Sequence, residues 1–202
     1  EILKSYDAKL TYWCSEPDDG QYDAINKGFR RATGDILMWL NADDMLLPNA
    51  LFVIGEVFRD LPVVDWISTL QQGTWDARGL LCGFFDIPGF SKQAFLDGIY
   101  HTGVHPGGFW LQQESTCFRR SLWEKAGGAI PSGYALAGDF ALWCAFYRHA
   151  ELVGMTYPIA GFRHRAGQRS EAAQAYAREA LGALDELREE CGWKSSLASR
   201  VR

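Results

Sequence analysis

The chain has 202 residues, 48% hydrophobic and 22% charged, enough apolar material for a packed core and too much for intrinsic disorder. A formal net charge of −5 argues against a nucleic-acid partner, which calls for a basic face. No apolar run approaches the roughly 18 residues a membrane span requires, and no signal-peptide pattern follows Glu1.

Residues 2–13 read as the tail of a helix running into a short alternating strand at 10–14. Residues 15–20 form a polar turn. Tyr22, Ile25, Phe29 and Ala32 then recur at helical spacing, and Gly34 stops that helix. Residues 35–40 are an apolar run too short for a helix, which predicts a strand buried on both faces, as in a parallel sheet. Asn41, Ala42, Asp43 and Asp44 follow at its carboxyl end. Pro48 opens a helix reaching about Arg59, with Leu51, Ile54, Val57 and Phe58 inward. This strand–helix rhythm predicts an α/β domain. Residues 63–70 and 79–85 read as strands, and 86–112 as a long functional loop rich in Gly, Pro and aromatics. A strand at 114–119 leads to a short helix at 121–126, stopped by Gly127 and Gly128. A helix at 139–150 carries Phe140, Trp143, Phe146 and Tyr147 on its apolar side, and a strand is expected at 152–160. From 171 to about 191 an amphipathic helix places Ala173, Ala177, Ala180, Leu184, Leu187 and Cys191 on one side, to cap the domain or meet a partner.

Five cysteines without a CxxC pair argue against a disulfide framework or a zinc site. Most read as small buried hydrophobes, and a reducing cytoplasmic setting is the default expectation. Aromatics are 14% of residues, including eight Trp, which fits a dense core or a sugar-facing surface.

The chemistry concentrates at Asp43 and Asp44. Open α/β sheets bind ligands just beyond the carboxyl ends of their strands. Adjacent carboxylates there repel one another unless a cation or donors compensate, and hard oxygen ligands suit Mg²⁺ or Mn²⁺ bridging to a phosphate. An N-cap for the following helix is the plainer alternative. Asp139, after Gly138 and at the start of an aromatic helix, is either an ordinary N-cap or a general base facing the same cleft.

These residues carry a resemblance. Residues 15–28, then Ala32-Thr33-Gly34-Asp35, Trp39-Leu40-Asn41-Ala42-Asp43-Asp44 and Leu47-Pro48 resemble family 2 glycosyltransferases. Gln113-Glu114-Ser115-Thr116, residues 119–123, Ala137-Gly138-Asp139-Phe140, Gly161-Phe162-Arg163 and Gly167-Gln168 continue it, from about residue 10 to 170. The resemblance implies a GT-A fold, a Rossmann-like mixed sheet flanked by helices. It implies an inverting transfer of a sugar from a nucleotide-diphospho-sugar to an acceptor hydroxyl, with Mg²⁺ or Mn²⁺ as cofactor and a glycan or lipid-linked acceptor. It places the metal and diphosphate at Asp43 and Asp44, with Asn41 standing where the commonest motif has Asp. It makes Asp139 the base that deprotonates the acceptor, preceded by Gly138 where many relatives carry an acid. His164 falls at or one residue from a His that lies near the diphosphate in relatives, with Arg163 or Arg165 the alternative phosphate cations. Asp19, Gln21, Tyr22 and Asn26 match the nucleotide-side turn and helix, Asn26 holding a loop or touching the nucleotide, while Tyr22 reads as core. Gln113 and Glu114 would hydrogen-bond the acceptor or are polar residues of an edge strand. Trp110 would stack on sugar, and Trp123 reads as core. In polysaccharide or glycoconjugate synthesis such an enzyme works in the cytoplasm, at the inner face of the membrane where its acceptor is lipid-linked.

The resemblance divides the chain into a partial GT-A domain at 1–170 and a C-terminal helix and tail at 171–202. Family domains begin with a strand, a helix and a second strand that hold the nucleotide base, and residue 1 matches the helix that follows. The expectation is a domain lacking roughly those first strands, with weak or no donor binding by this chain alone. Competing classes are a metal-dependent hydrolase of a sugar or nucleotide-sugar, a glycoside hydrolase using Asp43 and Asp139, and a sugar-binding module. The first would need more ligands, the second leaves the 15–28 block unexplained, and the third is usually all-β.

Overall fold

A computed structural model describes residues 1–101 and 108–194. In chain order the elements are α1 (Ile2–Ser5), α2 (Gln21–Arg31), β1 (Ile36–Leu37), β2 (Met45–Leu46), α3 (Ala50–Asp60), β3 (Trp66–Thr69), β4 (Gln71–Trp75), β5 (Leu81–Asp86), α4 (Lys92–Leu96), β6 (Cys117–Arg119), α5 (Arg120–Lys125), α6 (Gly138–Tyr147), β7 (Val153–Met155), β8 (Ala160–Arg163) and α7 (Ala173–Glu190), with 3₁₀ turns at Asp7–Lys9, Gln113–Ser115 and Arg169–Glu171. The strands form two four-stranded mixed sheets flanked by helices, ordered β1-β6-β3-β7 and β2-β8-β4-β5. The α/β expectation holds.

The period of two along the strands builds both sides of the first sheet. Trp66 and Phe118 enter an aromatic cluster with residues of α2, α5, α6 and α7. Their neighbours Ile67 and Cys117 pack on Ala50, Ile54 and Phe58 of α3. Trp143 of α6 stacks between Trp39, at 5.8 Å, and Trp66, at 5.7 Å. Each such side chain contributes several kcal/mol on burial, on the order of 25 cal/mol per Å² of apolar area. The high aromatic content is therefore mostly core, Trp123 included.

β3 pairs in parallel with β7, and β4 in parallel with β8. The two pairs cross together from the first sheet to the second. Leu70 sits at the bend, donating its N–H to the Met155 carbonyl at 2.7 Å and accepting from Ile87 at 2.8 Å. The register steps from Ile67↔Val153 to Gly73↔Gly161, so the β7–β8 segment carries two extra residues at the crossing. Pairing of Met45 with Gly161 then sets the end of β8 beside the acidic turn.

Several expectations are corrected. Residues 10–14 form no strand; the chain there follows α1 and a 3₁₀ turn, and Trp13 Nε1 donates to Asp7 Oδ1. Residues 35–40 contribute only Ile36–Leu37, an edge strand antiparallel to β6, with Leu37 and Trp39 buried but Leu40 exposed. Leu51 points outward at 65% exposure, because the inward face of α3 runs through Ala50, Ile54 and Phe58. β4 was not expected, and α4 interrupts the anticipated loop. The expected strand at 114–119 starts as a 3₁₀ turn, and that at 152–160 divides into β7 and β8. Cys117 and Cys144 are buried, whereas Cys14, Cys82 and Cys191 are exposed. α7 packs into the aromatic cluster through Ala180, Ala183, Leu184 and Leu187. No helix among the described residues is long and apolar enough to cross a membrane.

Glycines at 161 and 55 offer opposite outcomes. A Cβ at Gly161 would lie 2.2 Å from Trp75 Nε1, whereas one at the exposed Gly55 of α3 meets nothing within 4 Å. Gly161→Ala is expected to destabilise the fold by about 1–3 kcal/mol and Gly55→Ala to stabilise it by about 0.5–1 kcal/mol, both read from urea unfolding.

Candidate active site

The acidic turn is organised by one side-chain amide. Asn41 Oδ1 accepts from Gln21 Nε2 of α2 at 2.9 Å. Asn41 Nδ2 donates to Asp44 Oδ2 and to Gln113 Oε1, each at 3.0 Å. Both donors and the acceptor of a primary amide are thus used. An Asp at position 41 could make neither donation, which is the local reason for Asn there. Gln113 is committed as well, since its Nε2 donates to the Trp39 carbonyl at 2.7 Å. That role supports the turn.

Asp44 is 6% exposed, and its Oδ1 accepts the Arg163 backbone N–H at 3.0 Å. Burial and the Asp43 charge raise its pKa above the ordinary carboxylate value, against the pull of the Arg163 N–H and the Asn41 amide. Asp43 differs. Partial burial opposes its ionisation, but Arg165 Nε at 2.8 Å and the Gln168 amide overcome it and hold its pKa below the usual value. Glu114 is 3% exposed, and its Oε1 has no partner among the described residues. Burial first, then the charges of Asp44, Asp139 and Asp43, raise its carboxyl well above the usual range. The link between the acidic turn and Asp139 is α2: Gln21 donates to Asn41, which holds Asp44, and the next residue, Tyr22, sets its hydroxyl 3.4 Å from Asp139.

Asp139 lies in the first turn of α6. Burial pushes it up to about 6, opposed by the Phe140 N–H and by Tyr176 and Tyr22, whose hydroxyls each lie 3.4 Å from it. The ring of Tyr22 also occupies the space a side chain at 138 would need, since a Cβ there would sit 2.7 Å from it. Gly138 and Tyr22 are thus a matched pair, and an acid at 138 is sterically excluded.

The remaining sequence candidates are dispersed. Asn26 does hold a loop: its Nδ2 donates to the Ile130 carbonyl at 3.2 Å and its Oδ1 accepts the Ile130 N–H at 2.8 Å. Asp19 is exposed, its N–H bonded to Asp23. The Arg163 guanidinium lies beside Gly79 at the β4–β5 turn, with Nε buried and unpartnered among the described residues. His164 is exposed and packs its ring edge-on to Phe162 at 5.1 Å, while Arg165 is the cation on Asp43. Trp110 is 39% exposed, 6.1 Å from Phe85. Among the described residues no group of three or more His, Cys, Asp and Glu side chains forms a metal cage. Sequence reasoning passed over Arg169, which donates to Gln21 Oε1 at 2.7 Å, and Tyr176. For Tyr176 a signal existed, because it lies four positions before Ala180 on the inward side of α7.

Two mixed sheets flanked by helices in this arrangement match the GT-A fold. Among solved structures, the Staphylococcus aureus TarS 1–349 complex with UDP-GlcNAc superposes with a TM-score of 0.67 at 13% identity, over 94% of this chain and 52% of that one. The TarS 1–349 complex with UDP gives 0.60 at 14% identity, over 98% of this chain and 63% of that one. The chain belongs to glycosyl transferase family 2, whose model, described as Glycosyl transferase family 2, matches residues 1–117. An uncharacterized glycosyltransferase of Mycobacterium tuberculosis (strain ATCC 25618 / H37Rv) is 45% identical over 42 residues, 21% of this chain and 16% of that protein, and its counterpart in strain CDC 1551 / Oshkosh matches equally. The chain spans about half the length of the TarS chain in its UDP-GlcNAc complex and much less of the mycobacterial proteins.

The raised carboxyl of Glu114 has a consequence for stability. Its proton is taken up on folding, so its contribution is fully present below the unfolded value near 4.5 and is lost as pH rises through the higher folded value. Glu114→Gln is expected to raise stability at pH 8 by roughly 1–3 kcal/mol, with the gain vanishing near pH 4, as read by thermal unfolding at the two pH values.

Proposed function

We propose that this chain carries the catalytic part of an inverting glycosyltransferase, which moves a sugar from a nucleoside-diphosphate sugar to an acceptor hydroxyl. The observation that carries the reading is that α2 joins the acidic turn to the buried carboxyl of Asp139, through Gln21 to Asn41 and Asp44 and through Tyr22 to Asp139. Membership of the family supports it, as do TarS complexes that contain UDP-GlcNAc and UDP. The acceptor is a glycan or a lipid-linked glycan, reached in the cytoplasm at the inner membrane face, in polysaccharide or glycoconjugate synthesis.

Asp139 acts as the base. A carboxyl with a pKa of about 6 is mostly ionised at pH 7 yet basic enough to take a proton from a hydroxyl as it attacks. Asp43 and Asp44 would be the residues to hold a divalent cation such as Mg²⁺ or Mn²⁺, because two adjacent carboxylates in one turn offer hard oxygen ligands and Asp43 lies only partly buried at its rim. When bound, the cation would offset negative charge on the leaving diphosphate. Asn41 and the Arg163 N–H orient Asp44, and Arg165 and Gln168 orient Asp43. Arg163, Arg165 and Arg169 supply positive charge around the same turn.

On the full-length protein, Asp44→Asn should abolish Mn²⁺-dependent binding of the nucleoside diphosphate, measured as a shift in melting temperature across UDP, GDP and dTDP. Asp139→Asn should retain that shift and lower transfer by about 10²–10⁴-fold. Wild-type kcat should rise with pH through about 6, and normal transfer by Asp139→Asn would remove Asp139 from the mechanism.

A further inference from the structure

We propose that Tyr176, carried by α7, is a positioning residue for the Asp139 carboxylate, so that α7 is part of the transfer machinery rather than a cap on the fold. This rests on the reading of Asp139 as the base.

Two tyrosine hydroxyls flank the carboxylate, Tyr22 at Oδ1 and Tyr176 at Oδ2. A hydroxyl has one proton to give. That of Tyr22 goes to the Leu136 carbonyl in a short hydrogen bond, whereas the hydroxyl of Tyr176 has Asp139 as its bonding partner among the described residues. Tyr176 is therefore the donor free to follow the charge on Asp139. Its bond is long at 3.4 Å and strengthens as the carboxylate ionises, since hydrogen bonds to charged acceptors are shorter and stronger than neutral ones.

The helix holds this hydroxyl in place. One turn on, Glu179 Oε2 accepts the N–H groups of Leu136 at 2.8 Å and Ala137 at 2.9 Å, which ties the start of α6 to α7. The Ala177 carbonyl is bonded to His101 Nε2 at 2.8 Å. Ala180, Ala183, Leu184 and Leu187 then anchor the helix in the core. Tyr176 and Glu179 thus grip the same helix start that presents Asp139, one through its carboxylate and one through its backbone.

The charged and titratable groups around Asp139 come from several elements: Tyr22 on α2, Glu114 in the turn before β6, Tyr176 and Glu179 on α7, and Arg169 beyond β8. Burial keeps both tyrosines protonated, with values raised far above the ordinary phenol, so each stays a donor across the working range.

The test is carbon-13 NMR of the chain through a pH titration, with no substrate. The Asp139 carboxyl is expected to titrate near 6. Tyr176→Phe should move that midpoint up by roughly half to one unit, and Tyr22→Phe should move it less. In the unmutated chain the Tyr176 Cζ resonance should follow the same midpoint and stop doing so in Asp139→Asn. In transfer assays on the full-length protein, Tyr176→Phe should shift the acidic limb of kcat by the same amount and leave the donor KM unchanged. An unchanged Asp139 midpoint in folded Tyr176→Phe, or a Tyr176 Cζ resonance in the unmutated chain that ignores pH between 5 and 8, overturns the proposal. If Asp139→Asn transfers normally, the base reading fails while the titration still decides the link between the two side chains.

Discussion

The arrangement of the site depends on the side-chain amide of Asn41. Its three hydrogen bonds join α2, the acidic turn and the 3₁₀ turn before β6, which lie far apart in sequence. Each partner is in turn committed: Gln21 to Arg169, Gln113 to Trp39, Asp44 to the Arg163 backbone. A buried polar network is favourable only when every member is satisfied. Here the amide meets that condition with no spare atom, and a carboxylate in its place would leave Asp44 Oδ2 and Gln113 Oε1 without donors.

The four carboxylates of Asp43, Asp44, Glu114 and Asp139 sit in environments that separate their behaviour. Asp43 is held ionised by a guanidinium and an amide at the rim. Asp44 and Glu114 are both buried and raised, Asp44 against two hydrogen bonds and Glu114 with one carboxyl oxygen unpartnered among the described residues. Asp139 lies between, tempered by a helix start and two phenols. Together they provide a fixed negative charge, a charge awaiting compensation and a group poised near neutral pH, which is how a single site assigns different duties to identical functional groups.

Helices were the most legible part of the sequence. α2, α3, α5, α6 and α7 all declare themselves through apolar spacing and glycine stops, because those signals are local. The strands are two to six residues long, and their pairing is set by partners far away. β4 opens Gln71-Gln72-Gly73 and gave no apolar signal, although Gln72 is buried by its bond to the Trp110 carbonyl. Asp43, Asp44 and Asp139 stand out as residue types at element ends. Arg165 is legible only as an alternative phosphate cation and Tyr176 only as an inward position of α7; their partners, across 122 and 37 residues, are not. Gly138 was legible as a departure from the family pattern, but its reason, the Tyr22 ring, was not.

The shared bend of the β3–β4 and β7–β8 strands has a consequence for how the chain tolerates length change. The stretch 156–159 acts as a phase setter: it decides which residues of β8 face inward. Loss or gain of one residue there would turn β8 over, because strand side chains alternate. With one residue lost, residue 164 would take the place of residue 163 beside Asp44, and with one gained, residue 162 would, and in either case the cation on Asp43 would shift to the opposite face. Changes of two residues would keep the phase and alter only the depth of the bend. Relatives of this chain should therefore vary in length at this crossing in even steps.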